Sequence, residues 1–259
     1  MPTIVFANQK GGVGKSTLSC HFAWWLREHG YPRVLVVDLD AQGNTSRTMT
    51  AAVRLGRSAA LFGASAPAIG DLADGLSLLA ADASLADVDA LPAGPAAFRR
   101  NLETVAAGFD AVVIDTPPAL GRRMVAALVA ADHVACPIEL EPYSIDALAN
   151  MLKTVHGVRR RWNPRLHLLG VLANRFNHHS AAQKAALAAL LARYAEFVLP
   201  ARISTRSSIA EALSAGRPVW QLPRTSAREA SVELERAFTL MLERMTAGTP
   251  AAMASGAGA

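Results

Sequence analysis

The sequence has little of several things that would mark a special class of protein. It holds only two cysteines in 259 residues, Cys20 and Cys136, which excludes a disulfide framework and a paired-thiolate metal site. Aromatic residues make up 6% of the chain, so aliphatic side chains must build the core. No apolar run reaches the roughly 18 residues that a membrane-spanning helix needs. These absences favour a globular protein of a reducing compartment, and we expect it to be cytoplasmic.

Charge is distributed unevenly, although the net charge is only +5. Residues 1–150 carry 11 Lys/Arg against 15 Asp/Glu, whereas residues 151–259 carry 15 against 6. The excess of cations in the second half indicates a polyanionic partner or, equally, a basic surface that meets only solvent. Lysine supplies only four of the 26 basic residues, yet Lys10 and Lys15 share one glycine-rich segment. We expect that segment to need compact ammonium groups.

Apolar strands alternate with helical segments through most of the sequence. Continuous apolar runs predict buried strands at Thr3–Ala7, Arg33–Asp38, Asp110–Asp115, His133–Ile138 and Leu166–Ala173. Helices are predicted at Lys15–His29, Ser144–Trp162, Ala181–Tyr194 and Arg228–Met245. This alternation predicts an α/β fold with a mostly parallel twisted sheet and helices on both faces, in three layers. We expect one domain over residues 1–245 and a disordered tail over 246–259, whereas the weak pattern of residues 51–97 sets no boundaries.

A glycine-rich loop lies between the first strand and the first helix, which is the setting of a phosphate-binding loop. It reads KGGVGKST from Lys10 to Thr17, with Gln9 where the generic pattern has glycine. Backbone N–H groups and the helix N-terminus would hold phosphate oxygens. We expect Lys15 to reach the β- and γ-phosphates and the Ser16 hydroxyl to bind Mg²⁺. The predicted nucleotide-binding residues of the loop are Gly11, Gly12, Val13, Gly14, Lys15, Ser16 and Thr17.

The extra lysine at Lys10 makes this loop resemble the deviant Walker A motif of the ParA/MinD family of P-loop ATPases. The resemblance implies hydrolysis of ATP with Mg²⁺ and a homodimer that encloses the nucleotide. It also implies that Lys10 reaches across that dimer to the phosphates bound by the other chain. A second ammonium offsets triphosphate charge only when two chains close over it, so ATP binding and dimerisation would be linked.

Two further motifs carry the same resemblance. Residues 38–44, DLDAQGN, follow the second strand and resemble the D-x-D-P-Q-G-N segment of the family, with Ala41 replacing proline. The resemblance implies that Asp40 orients the attacking water and that Asp38 helps to hold the Mg²⁺ shell. Residues 112–118, VVIDTPP, resemble the Walker B strand, in which Asp115 would bind Mg²⁺ through water.

Asn174 follows the fifth predicted strand, at a place where this family often contacts adenine. It is our candidate for the contact with the base edge, although an asparagine at a strand end is more often a turn residue. Together with the three motifs and a weaker C-terminal segment, the resemblance covers roughly residues 3–245.

The absences narrow the class further. Two isolated cysteines do not fit the iron–sulfur members, and the near-neutral polar face of the last helix does not fit a membrane-binding member. A small DNA-segregation ATPase remains, which implies nonspecific DNA binding by the ATP dimer, stimulation by a ParB-type centromere-binding protein and association with the nucleoid. The alternative is a ParA-like ATPase that positions a protein cargo and has little DNA role.

Two groups of arginines could contact DNA backbone phosphates. The group that we favour lies in a stretch with few acidic residues and consists of Arg202, Arg206, Arg224 and Arg228. The other surrounds a predicted helix end, where positive charge also complements the helix dipole. It consists of Arg159, Arg160, Arg161 and Arg165.

Overall fold

A computed structural model describes residues 1–70, 72, 74–90, 94–141 and 144–247. The strands are β1 Thr3–Phe6, β2 Arg33–Asp38, β3 Val53–Arg57, β4 Gly75–Ala80, β5 Ala111–Asp115, β6 His133–Glu139, β7 His167–Phe176 and β8 Val198–Ser204. The helices are α1 Lys15–Glu28, α2 Asn44–Thr48, α3 Pro95–Ala106, α4 Arg122–Ala130, α5 Ser144–Arg161, α6 Ala181–Tyr194, α7 Ser207–Ser214 and α8 Thr225–Ala247.

All these strands belong to one sheet, in the order β3-β4-β2-β5-β1-β6-β7-β8. Every neighbouring pair runs parallel. Side chains of the central strands alternate between two cores: Val5 and Ile114 point into one, and Phe6 and Val113 into the other. A strand that is buried on both faces needs apolar residues at every position, which explains the continuous runs in the sequence.

The helices form a layer on each face of the sheet. Helices α3, α4, α5 and α6 supply buried side chains to the core that contains Val5, whereas α1, α7 and α8 supply the core that contains Phe6. The predicted three-layer α/β fold is confirmed. The bounds of the predicted strands and helices differ from those observed by three residues or fewer.

Three strands have no counterpart in the sequence prediction, and two of them are the edges of the sheet. Strand β3 is largely exposed and carries Arg54 and Arg57, so it lacks an apolar run. Strand β8 contains Pro200, and its register with β7 shifts there. From Val198 to Arg202, β8 advances four residues, while β7 advances only two, from Val171 to Ala173. The third strand, β4, lies in the alanine- and glycine-rich stretch whose pattern set no boundaries.

Helix α8 continues through Thr246 and Ala247, so the ordered domain extends slightly past the predicted end at residue 245. The remainder of the predicted disordered tail, residues 248–259, lies outside the described residues. Among the helices that the structure describes, none is both long and apolar enough to cross a lipid bilayer.

Candidate nucleotide site

The site lies where three neighbouring central strands end. In the parallel register, Phe6 at the end of β1 lies beside Asp115 of β5, and Asp115 lies beside Asp38 of β2. The glycine-rich loop that follows β1 walls a cleft of about 590 Å³. The cleft is lined by Gly11, Gly12, Gly14, Lys15, Ser16, Thr17, Asp40, Gln42, Asn44, Arg47, Thr48, Pro118, Leu213 and Ser214. The topology thus brings the three sequence motifs together at the carboxyl ends of β1, β2 and β5.

Lys15 lies inside the loop, with only 6% of its surface exposed. Its Nζ donates to the backbone oxygen of Lys10 over 3.0 Å, so the chain wraps around the ammonium. Burial lowers the pKa of Lys15, and the charges of Asp115 and Asp40 offset part of that shift. This ammonium is therefore held at the floor of the cleft, as a phosphate ligand must be.

Lys10 takes a different direction from the same loop. Its Nζ forms an ion pair with Glu141, which follows β6, and about a third of the Lys10 side chain is exposed. The loop therefore directs Lys15 into the cleft of its own chain, whereas Lys10 lies outside the lining of that cleft, against Glu141.

Gly14 and Asn174 fit together beneath the loop. Gly14 has a φ of +93°, and a Cβ at this position would lie 2.1 Å from Asn174 Nδ2. The same Nδ2 donates to the Val13 oxygen over 2.8 Å, and Asn174 is buried. The structure places Asn174 as a support of the loop through one of its two amide N–H groups, and its predicted contact with adenine stays a prediction.

Asp38 anchors the segment that follows β2. Its Oδ2 accepts hydrogen bonds from the Ser46 backbone N–H (2.8 Å) and hydroxyl (2.7 Å), and its Oδ1 accepts one from the Asp40 N–H (3.1 Å). Burial raises the pKa of Asp38, and these donors offset part of the rise. Because both oxygens already have protein partners, this geometry favours a positioning role, and its part in a Mg²⁺ shell stays a prediction.

One carboxylate oxygen of Asp115 has no partner among the described residues and can bind another group. The Thr45 hydroxyl donates to its Oδ2 over 2.8 Å, whereas Oδ1 is buried with no hydrogen-bond partner among the described residues. Burial raises the pKa of Asp115 to about 7, and the charge of Asp38 adds to the rise. The hydroxyls of Ser16 and Thr45 and the Lys15 ammonium act in the opposite direction.

The oxygen atoms around Asp115 and Ser16 suit Mg²⁺, which prefers oxygen ligands and keeps several waters. A cation near Asp115 Oδ1 would satisfy the unpartnered oxygen and hold the carboxyl ionised. Within the described residues, no three His, Cys, Asp or Glu side chains converge on one point. Phosphate oxygens and water would therefore supply most of a shell to which Ser16 is predicted to contribute directly and Asp115 through water.

Asp40 is the carboxylate that reaches the cleft itself. It lines the cleft and is 9% exposed. The N–H of Gln42 donates to its Oδ1 over 3.0 Å, which fixes the side chain. This position suits a residue that orients water at the γ-phosphate, and that role stays a prediction.

Three residues of the site escaped the sequence analysis. Thr45 and Ser46 hold Asp115 and Asp38, and their only signal is that they directly follow the DLDAQGN motif. Arg175 donates from Nη1 to the Gly12 oxygen over 3.0 Å and lies 3.7 Å from Glu139. Its φ of +53° is unusual for a residue with a side chain, and nothing in the sequence reveals that.

The arginines favoured for DNA contact do not form one free basic surface. Arg206 pairs with both Glu229 and Glu233, the latter at 3.0 Å, and only 21% of its side chain is exposed. Arg224 lies 3.1 Å from Glu211. Arg202 is exposed and stacks over the Phe176 ring, and Arg228 is exposed without an ion pair in the described part of the chain.

Comparison with known proteins identifies the class. Residues 1–168 match the protein family described as AAA domain. Protein IncC of Escherichia coli is 40% identical over 257 residues, which cover 95% of this chain and 70% of that protein. The chain belongs to the ParA/MinD family of partition ATPases. Among its ParA-type relatives, the chromosome-partitioning ATPase Soj of Thermus thermophilus is 36% identical over 224 residues, covering 86% of this chain and 89% of Soj.

A solved structure resembles this ParA-type chain over nearly its whole length. Cobyrinic acid a,c-diamide synthase of Mycobacterium smegmatis, with bound ATP analog and magnesium, aligns with a TM-score of 0.77 and 28% identity. The alignment covers 96% of this chain and 97% of that one. The predictions of family, fold and an ATPase that uses ATP and Mg²⁺ are thereby confirmed, while the roles of individual residues stay predictions.

Proposed function

We propose that this chain is the ATP-driven switch of a DNA partition system. ATP binding closes two copies into a homodimer, and the dimer binds DNA without sequence preference. A ParB-type centromere-binding protein stimulates hydrolysis, which opens the dimer and releases the DNA. On this proposal the protein works in the cytoplasm, associated with the nucleoid.

The observation that carries the proposal is that the two lysines of one loop lie in different surroundings. Lys15 occupies the inside of the loop and contacts its backbone. Lys10 points to the side, where its ammonium needs only to exchange Glu141 for a stronger anion. The triphosphate of a second chain is such an anion, and an ion that binds only the closed pair stabilises the pair.

The charge distribution supports the DNA step. The second half of the chain carries 15 Lys/Arg against 6 Asp/Glu, and a dimer doubles every phosphate contact that one chain can make. Binding that rests on phosphates does not depend on sequence and weakens with salt. The name of the Soj relative, a chromosome-partitioning ATPase, supports the same function.

Light scattering and DNA-binding anisotropy with a non-hydrolysable ATP analog, with ADP and without nucleotide test this function. We expect a dimer that binds random duplex DNA only with the analog. Lys10→Ala should bind the analog yet remain monomeric, whereas Lys184→Ala, a change at an exposed lysine on α6, should behave like wild type. A normal dimer in Lys10→Ala would refute the role of Lys10. A dimer that ignores DNA would favour the cargo-positioning alternative.

A further inference from the structure

We propose that Arg47 binds the phosphate chain of the nucleotide in the cleft of its own protomer. Arg47 lies on the short helix α2, three residues after the DLDAQGN motif, and none of the sequence motifs includes it. The proposal extends the nucleotide site beyond the glycine-rich loop. It concerns ATP binding and holds whether or not the dimer binds DNA.

The first argument is the charge inside the cleft. Among the described residues that line it, Lys15 and Arg47 are the only cations, and Asp40 is the only anion. The Lys10 ammonium lies outside this lining, against Glu141. A triphosphate carries several negative charges, and one lysine offset by Asp40 leaves most of them unbalanced. A second cation in the same cleft therefore makes nucleotide binding more favourable.

The second argument is that the Arg47 guanidinium has no carboxylate partner in the described part of the chain. The residue is exposed, and its Nη2 donates to Oδ1 of Asn44 over 2.7 Å. In contrast, Arg206 is held by two glutamates. A phosphate oxygen is a stronger acceptor than an amide oxygen, and a guanidinium can bind phosphate through two parallel hydrogen bonds. Arg47 can therefore exchange Asn44 for phosphate without breaking an ion pair.

The third argument is that the backbone beside Arg47 is fixed by the carboxylates of the site. Asp38 accepts hydrogen bonds from the Ser46 N–H and hydroxyl, at 2.8 and 2.7 Å. The Thr45 hydroxyl donates to Asp115 over 2.8 Å. Helix α2 is thereby tied to the ends of two central strands, so only the Arg47 side chain loses freedom when it binds phosphate.

The experiment measures the affinities of fluorescent ADP and of a fluorescent, non-hydrolysable ATP analog for variants of Arg47. Arg47→Ala removes the charge and the donor, Arg47→Gln keeps a donor for Asn44 without the charge, and Arg47→Lys keeps the charge. The matched control is Arg27→Ala, at an exposed arginine of α1 outside the cleft lining. Each affinity is measured below and above the protein concentration at which light scattering detects a dimer.

We expect Arg47→Ala and Arg47→Gln to bind the ATP analog about tenfold more weakly than wild type at both protein concentrations, because a charge-assisted hydrogen bond to phosphate is lost. Arg47→Lys should stay within about threefold, and Arg27→Ala should match wild type. An equal loss with ADP would place the contact on the α- or β-phosphate, and a loss with the analog alone would place it on the γ-phosphate. Either result supports the proposal.

Three results would overturn the proposal. The first is an Arg47→Gln affinity within about twofold of wild type for both nucleotides, which would leave Arg47 as a solvated side chain. The second is a loss that vanishes below the concentration of dimerisation, because the guanidinium would then act across the dimer. The third is a loss that accompanies a lowered urea midpoint of nucleotide-free Arg47→Gln, because the residue would then support the fold and not the nucleotide.

Discussion

The nucleotide cleft and the arginine-rich second half handle charge in opposite ways. In the cleft, Lys15, Asp38 and Asp115 are buried, and surrounding backbone and hydroxyl groups fix their positions. In the second half, most arginines lie on the surface, and carboxylates of helices α7 and α8 decide which of them are paired. A motif therefore predicts the first arrangement, whereas a count of charges misleads about the second.

The largest expected effect is on ATP binding in the nucleotide cleft. Lys15→Ala removes the lysine that the structure places inside the loop, so ATP affinity should fall by more than about 100-fold. Isothermal titration calorimetry measures it, with Lys153→Ala as a control at an exposed lysine of α5. Affinity within tenfold of wild type would show that the buried ammonium does not serve the phosphates.

The next prediction separates catalysis from binding within the cleft. Asp40→Ala should bind ATP and dimerise, because the loop and Lys15 remain, but it should hydrolyse ATP about 100-fold more slowly. Single-turnover phosphate release checks the rate, and Asp146→Ala, a change on α5, is the control. Unchanged turnover would assign the orientation of water to another residue.

The third prediction concerns a buried group with no charge partner, His21. Its Nδ1–H donates to the Thr17 oxygen over 2.8 Å, and its Nε2 is buried without a partner in the described residues. Burial lowers the pKa of His21 to about 4, below its ordinary value of 6.5. The unfolded chain therefore takes up the proton first, and stability should fall as the pH drops from about 6.5 to 4, by roughly 3 kcal/mol in full.

Urea unfolding of wild type and His21→Leu at several pH values isolates this contribution. Asp115 titrates in the same window with the opposite sign, because its raised pKa favours the folded state on acidification. The relevant quantity is therefore the difference between the two proteins, which should grow in favour of His21→Leu below pH 6.5. A difference that does not depend on pH would mean that the folded protein accommodates the charged imidazole.

The smallest expected effect lies on the arginine side. Arg206→Ala should lower the free energy of unfolding by about 1–2 kcal/mol, because Glu233 loses a partner in a mostly buried network. Its DNA salt slope should remain that of wild type. Arg224→Ala, which breaks an exposed pair, should change stability by less than about 0.5 kcal/mol. A flattened slope in Arg206→Ala would return this residue to the DNA surface.

The sequence predicts features that depend on local patterns, and it does not predict those that depend on contacts between distant residues. The central strands could be predicted because burial on both faces demands unbroken apolar runs, and the edge strands β3 and β8 could not because they lack that demand. The loop follows from its glycine and lysine spacing between a strand and a helix, whereas Asp38, Asp40 and Asp115 are singled out by the resemblance of their motifs to those of the ParA/MinD family. The contact between Lys10 and Glu141 joins residues 131 positions apart. The support of Val13 by Asn174 spans 161 positions, and no local pattern encodes either contact.

The two edges of the sheet carry a consequence for how copies of this protein can assemble. Strand β3 has arginines and a register shift, and β8 has Pro200 at its own shift. Neither offers the straight row of N–H and C=O groups that another strand needs for pairing. Copies of this chain are thus discouraged from pairing strand to strand into an extended sheet, so the nucleotide-dependent homodimer proposed above could remain a closed, reversible pair.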